Sequence, residues 1–212
     1  LLLVIVITSQ SHISILGRVP GQAQFSSLEE NPENIIIPGI LIIRADTGIF
    51  YANADSYKKQ IMSMVHETNP PVLAVVLDME MSRDLDLAGA EMLRELNDEL
   101  KKMGISFRLS RVQVPAHQLL DRLGISEKIG HENFHSRTLF AVSHYLTEEG
   151  LSKLESSDVL PDMVRCVHGM VCERLDVVAG EDHEKLQSIQ TQFETILKEL
   201  GEMSERLPQE KK

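Results

Sequence analysis

Residues 71–103, PVLAVVLDMEMSRDLDLAGAEMLRELNDELKKM, hold the pattern from which the fold is read. Residues 72–77 are a near-continuous apolar run rich in β-branched side chains, as expected of a strand covered on both faces in a parallel or mixed sheet. A polar connection, residues 78–86, leads into a segment where Leu93, Leu96, Leu100 and Met103 recur at three and four, the spacing of one helical face. Asp86 is placed to cap that helix: its carboxylate accepts orphan amide hydrogens of the first turn, and its charge suits the positive end of the dipole. Gly104 then stops the helix. The unit is strand, loop, long helix.

Toward the N-terminus, residues 13–16 form a candidate strand, with Gly17, Pro20 and Gly21 as turn punctuation. Residues 25–34 are acidic and polar and read as an exposed loop. After the break at Pro38 and Gly39, residues 40–43 resume as a strand. Thr47 and Gly48 make a turn, and residues 49–51 pair back, which predicts a β-hairpin at the sheet edge. Asn53 and Asp55 are caps for a helix over 56–67 with Tyr57, Ile61, Met64 and Val65 on its apolar face. Asn69, Pro70 and Pro71 end it, because the residue before proline is pushed out of helical geometry.

Toward the C-terminus, residues 106–112 read as a strand with Phe107 and Leu109 on one face and Arg108 and Ser110 on the other. Pro115 fits the first turn of a helix whose buried stripe is Leu119, Leu120 and Leu123, ending before Gly124. Phe134 lies in a short strand, and residues 139–146 form a closing helix with Leu139, Val142 and Leu146 inward. Strands separated by helical patterns predict an α/β sandwich of about five strands and about four helices. The helices are expected on one main face, leaving the other for a partner or an N-terminal strand.

Beyond Gly150, Met163, Val164, Val167, Met170, Val171, Leu175 and Val178 recur at helical spacing, with Pro161 near the start and Gly180 just past the end. A turn at 180–183 precedes a second helix in which Leu186, Ile189, Phe193, Ile196, Leu200, Met203 and Leu207 alternate at three and four, a heptad seam. The tail is a helical hairpin. Two arrangements satisfy it: both stripes buried within one chain, or an intermolecular coiled coil.

A chain of 212 residues, 42% hydrophobic and 25% charged, buries one core plus an extension. The net charge of −11 argues against a nucleic-acid surface, which needs clustered Lys and Arg to replace counterions. Cys166 and Cys172 form neither CxxC nor a disulfide framework, which fits a reducing compartment. The opening run LLLVIVI is far short of the roughly 20 apolar residues of a membrane span, and no basic region precedes it as in a signal peptide. It reads either as a buried first strand or as the clipped end of a transmembrane helix, with residues 8–12 at the water interface.

His131-Glu132-Asn133-Phe134-His135 matches H-E-x-x-H, in which two histidines one helical turn apart bind zinc. The context opposes it, since Gly130 precedes the run and Phe134 reads as strand. No metal site is expected there. The other histidines are scattered singly, and no G-x-S-x-G, P-loop or Rossmann fingerprint appears. The sequence shows no catalytic constellation and implies no cofactor.

VVLDMEMSRDLDLAGAEML, residues 75–93, resembles the signature segment of a STAS domain, the module shared by anti-sigma factor antagonists and SulP-type anion transporters. PGILIIRADTGIFYANADSYKKQI, residues 38–61, is similar to the strand pair and helix start of SulP-type STAS domains. GISFRLSRVQVPAHQLLDRLGISEKIGHENFH, residues 104–135, resembles their next strand, helix and short final strand. SILGRVPG, residues 14–21, looks like the sequence that follows the last membrane span of such transporters, which favours the transmembrane reading of residues 1–7. The resemblance covers residues 13–146. It implies a transmembrane end and linker over 1–12 and a STAS domain over 13–150, and the helical spacing beyond it makes an extension over 151–212. It also implies no metal at 131–135.

In anti-sigma factor antagonists an Asp-Ser-Ser or Asp-Ser-Thr turn at the helix start carries a phosphorylatable serine, where phosphate would add about two negative charges at a partner interface. Here Asp86 matches the acidic residue, Leu87 stands at the serine position and Ala88 at the next hydroxyl, before Gly89. Ser82 lies four residues before Asp86, outside the motif position. Asp78, Glu80, Asp84 and Asp86 would repel a bound phosphate. The loop of Ser82, Asp84, Asp86, Leu87, Ala88 and Gly89 is therefore expected to be a regulatory or interaction surface.

The resemblance implies a non-enzymatic domain at the cytoplasmic face of the inner membrane, part of an integral SulP-type, sulfate-like anion transporter. Its expected partners are the transmembrane domain of the same transporter, a second copy, and a cytosolic regulatory protein. The alternative is a free-standing partner-switching protein like the anti-sigma factor antagonists. Residues 1–7, the Gly17-Arg18-Val19-Pro20-Gly21 linker and the missing serine favour the first.

Overall fold

The computed structural model describes residues 12–150, 160–175 and 178–206. Both readings of residues 1–7 lie outside these, as does Leu207. Six strands form one sheet: β1 (Ile13–Arg18), β2 (Phe25–Ser27), β3 (Ile40–Ala45), β4 (Ala74–Asp78), β5 (Ser106–Ser110) and β6 (Phe134–His135), in the order β2-β1-β3-β4-β5-β6. From β3 to β6 the strands run parallel, while β1 is antiparallel to both β3 and β2. The helices are α1 (Ala54–Glu67), α2 (Leu87–Lys102), α3 (Val114–Arg122), α4 (Ile125–Ile129), α5 (Thr138–Tyr145), α6 (Leu160–Leu175) and α7 (Glu181–Arg206). A single π turn, Leu146–Gly150, extends α5.

The apolar run is the central strand β4, buried at every residue. Alternation along it feeds two cores: Val75 and Leu77 join Leu41 and Ile43 of β3 under α1 and α2, while Ala74 and Val76 join Ile40 and Ile42 on the opposite face. The first core takes Tyr57, Ile61 and Val65 from α1 and Leu93, Leu96 and Leu100 from α2. Phe107 and Leu109 of β5 point the same way, whereas Arg108 does not.

The opposite face corrects the expectation of helices on one side. Leu139 and Val142 of α5, Val164, Val167, Met170 and Val171 of α6, and Leu186, Ile189, Phe193 and Ile196 of α7 cover it within the same chain. The physical reason was present in β3 and β4, since strands apolar on both faces need a layer on each. Four residues of the heptad seam are thus spent on the sheet and on α6.

Three local readings also change. Residues 25–34 are not all loop, because Phe25–Ser27 pairs with β1 in the register Leu16 to Ser27. Three residues with one apolar side chain are too short to show a period. Residues 49–51 do not return as a hairpin strand, since both neighbours of β3 are already taken by β1 and β4. Ile49 is instead buried in the first core, and the Asn53 side chain closes the turn: its Oδ1 accepts from Phe50 N at 2.9 Å and its Nδ2 donates to Gly48 O at 2.9 Å. Met103 and Leu123, expected on buried stripes, fall just beyond their helix ends and are exposed. No helix among the described residues is long and apolar enough to cross a membrane.

Candidate interaction site at the carboxyl end of the sheet

Where β4 ends, the chain must turn away from the sheet, and Asp78 anchors that turn. Its side chain is fully buried; Oδ1 accepts from Glu80 N at 3.0 Å, an Asx turn that starts the loop. Oδ2 accepts from Arg111 Nε at 2.8 Å, from Arg111 Nη2, and from Thr138 Oγ1 at 3.1 Å. Arg111 follows β5 directly, and its Nη1 also meets Glu80 Oε2 at 2.6 Å. To make these bonds Arg111 adopts φ +56°, a left-handed conformation that costs a non-glycine residue about 1–2 kcal/mol. One buried carboxylate thus joins the ends of β4 and β5 to the first turn of α5.

At the far end of the loop Asp86 caps α2. Its Oδ1 accepts from Gly89 N at 2.8 Å, and its Oδ2 accepts from Tyr51 N at 2.8 Å, which fastens the helix start to the turn before α1. Gly89 permits that approach: a Cβ there would lie 2.7 Å from Leu85 Cδ1 and 2.9 Å from Ile49 O. The capping role and the close contact fix how α2 presents its first residues.

What it presents is apolar. Leu87 is 59% exposed, Tyr51 75% and Met81 52%, and Ala88 is exposed beside Leu87. The Asp86 to Tyr51 bond places Tyr51 next to the helix start, and the Met81 backbone lies beside Gly48. On the other flank a shallow groove runs between the loop and α3, lined by Arg83, Asp84, Leu87, Pro115, Leu119 and Arg122. Exposed apolar side chains rimmed by charges of both signs suit a protein contact. The groove's lining holds no nucleophile beside a base.

The loop residues singled out in the sequence divide between surface and interior. Asp84, Leu87 and Ala88 face outward, Asp86 is half-buried, and Gly89 and Ser82 are buried. The Ser82 hydroxyl is enclosed without a hydrogen-bond partner among the described residues, so it is not displayed to a modifying enzyme in this conformation. Tyr51, Met81 and the Asp78–Arg111 pair were missed. The signal for the pair was a charge of each sign at the carboxyl ends of two neighbouring strands.

The His131 to His135 stretch spans two elements, a 3-10 turn (His131–Asn133) and β6, rather than one helix. Arg108, buried on the second face of the sheet, points a guanidinium nitrogen at His135 Nε2, 3.3 Å away. It pairs with Glu148 Oε2 at 2.9 Å and Glu149 Oε1 at 3.0 Å, and its guanidinium lies 5.8 Å from the Tyr145 ring centroid. Burial, then the charges of Arg108 and His144, push the His135 imidazole down to about 3 from its usual 6.5. A ring nitrogen facing a guanidinium is poorly placed to bind a cation. This cluster fastens the π turn to β5, and Ser106 Oγ adds a bond to Glu149 Oε1 at 2.8 Å. Among the described residues no group of three or more His, Cys, Asp or Glu could hold a metal ion.

The sequence pattern of the STAS domain family matches residues 31–144. A probable sulfate transporter of Mycobacterium tuberculosis is 30% identical over 122 residues, covering 58% of this chain and 22% of that protein. The chloroplastic sulfate transporter 4.1 of Arabidopsis thaliana is 30% identical over 157 residues, covering 70% of this chain and 23% of that protein. Among solved structures, the murine Solute Carrier 26 family member A9 anion transporter in its inward-facing state superposes with a TM-score of 0.61 at 19% identity, over 66% of this chain and 23% of that one. That likeness is one of fold. The chain spans less than a quarter of the length of each of these proteins.

Proposed function

This chain belongs to the STAS domain family, and from that membership we propose that it is the STAS domain of a SulP-type anion transporter, which acts by protein contact and not by catalysis. In this reading it sits at the cytoplasmic face of the membrane, against the membrane domain of the same transporter. The observation that carries the reading is the start of α2. Leu87 and Ala88 stand exposed where a partner-switching relative would show hydroxyls, and Tyr51 and Met81 extend the apolar surface.

Burying a side chain such as Leu87 in a contact contributes about 1.5–3 kcal/mol, whereas phosphorylation acts by adding charge to a hydroxyl that is missing here. The surface is built for standing association. The names of the sulfate-transporter relatives support sulfate or a similar anion as the transported species.

The coding sequence upstream of Leu1 tests the reading. It should encode a series of hydrophobic segments of about 20 residues each, the length of a membrane-spanning helix. A start codon close before Leu1 with no such segments would overturn it.

A further inference from the structure

Between the end of β5, the first turn of α5 and the last turn of α6 lies a cavity of about 230 Å³, which residues 23–25 also line. Among the described residues its charged lining is Arg111, Arg137 and Arg174, with no carboxylate. In a chain of net charge −11, three guanidinium groups around one space are conspicuous. They differ in how far they are neutralised. Arg111 is committed to Asp78 and Glu80; Arg137 gives its Nε to Asp182 Oδ2 at 3.1 Å, and its two terminal nitrogens meet no partner among the described residues. Arg174 makes no hydrogen bond or ion pair among the described residues.

The rest of the lining favours an anion. Ala23, Phe25 and Leu139 are apolar walls, which strengthen any charge interaction made between them. No side chain caps α5, so the backbone N–H groups of its first turn remain available to an acceptor. The planar guanidinium fork matches two oxygens of one anion at once. A water occupies about 30 Å³ of liquid, so the space admits a small oxyanion with a few waters.

We propose that this cavity binds a small tetrahedral oxyanion, sulfate or phosphate, held by the terminal nitrogens of Arg137 and the guanidinium of Arg174 with Arg111 behind them. The bound anion ties the end of α6 to the start of α5, so the C-terminal hairpin is fastened to the sheet by a ligand as well as by its apolar stripe. This site is separate from the contact surface at the start of α2, and it stands whether or not the transport reading holds.

The test is titration of the full 212-residue chain with sodium sulfate and with sodium phosphate, followed by backbone amide shifts, against sodium chloride at matched ionic strength. Saturable shifts at Thr138, Leu139 and residues 23–25, absent with chloride, are expected. Arg174 makes no bond among the described residues, so Arg174→Gln should keep the fold, and it should weaken both oxyanions by about tenfold, with Arg137→Gln doing the same. Arg83→Gln, at the groove beside α3, should leave binding unchanged. Shifts that fail to saturate, that appear equally with chloride, or that persist at full affinity in Arg174→Gln would overturn the proposal.

Discussion

Replacing Arg111 by methionine keeps the stem and the Cβ but strands the carboxylate of Asp78, which is completely buried while Arg111 is 30% exposed. Breaking a buried ion pair by removing one partner costs about 3–5 kcal/mol, because the other charge is left uncompensated. Arg111 is partly in water, and Asp78 keeps its bonds from Glu80 N and Thr138 Oγ1, so the lower end applies, about 3 kcal/mol. The left-handed backbone at 111 is the same in both proteins, so its strain cancels from the difference. At about 2–4 °C per kcal/mol for a chain of this size, the melting temperature should fall by about 6–12 °C. Adding Asp78→Asn removes the stranded charge, and the double variant should recover at least half of the loss. Urea unfolding of the parent, Arg111→Met, Asp78→Asn and the double variant measures the coupling directly. A single variant within about 0.5 kcal/mol of the parent, or a double variant no better than Arg111→Met, would refute the view that this pair anchors the loop.

Gly89→Ala should destabilise the protein by about 1–3 kcal/mol although alanine is the better helix former, since the new Cβ meets Leu85 Cδ1 and the Ile49 carbonyl; a variant with a raised melting temperature would contradict the close approach. His135 is held neutral in the fold, its imidazole pushed down to about 3, so the unfolded chain binds more protons between there and 6.5. Its contribution is therefore complete above pH 6.5 and is lost as pH falls toward 3, which His135→Gln should remove; an NMR titration placing His135 near 6.5 would refute this. The isolated chain should sediment as a monomer, because the α7 residues Leu186, Ile189, Phe193 and Ile196 already cover the sheet and α6. A chain ending at Gly180 should self-associate or aggregate through the uncovered face, whereas a full-length dimer that becomes monomeric on this truncation would show that the seam joins copies.

The strand-loop-helix unit of residues 71–103 was legible because each step in it follows a local rule. A doubly apolar strand is buried on both faces, an aspartate at the helix start finds an amide, and a three-four stripe finds the sheet. The parts that were not legible depend on partners distant in sequence. Phe25–Ser27 is a strand only because β1 lies beside it, and residues 49–51 are denied a place in the sheet only because β1 already occupies that edge of β3. The hairpin of α6 and α7 could be recognised as two stripes, but what the stripes cover is decided by the second face of β3 and β4. At the candidate site the missing serine could be read from Leu87, whereas Tyr51 and Met81 sit in turns without a period, and only folding brings them beside the helix start.

If the surface at the start of α2 serves an anion transporter, labelled-sulfate uptake by cells expressing the whole coding sequence that contains this chain should depend on Leu87. Leu87→Asp changes an exposed side chain, so the fold should be altered by no more than about 0.5 kcal/mol, while a charge enters the apolar contact. Sulfate uptake should exceed that of cells lacking the gene and fall several-fold in Leu87→Asp at an unchanged protein level. No uptake by the parent, or uptake of sulfate indifferent to Leu87→Asp, would contradict it.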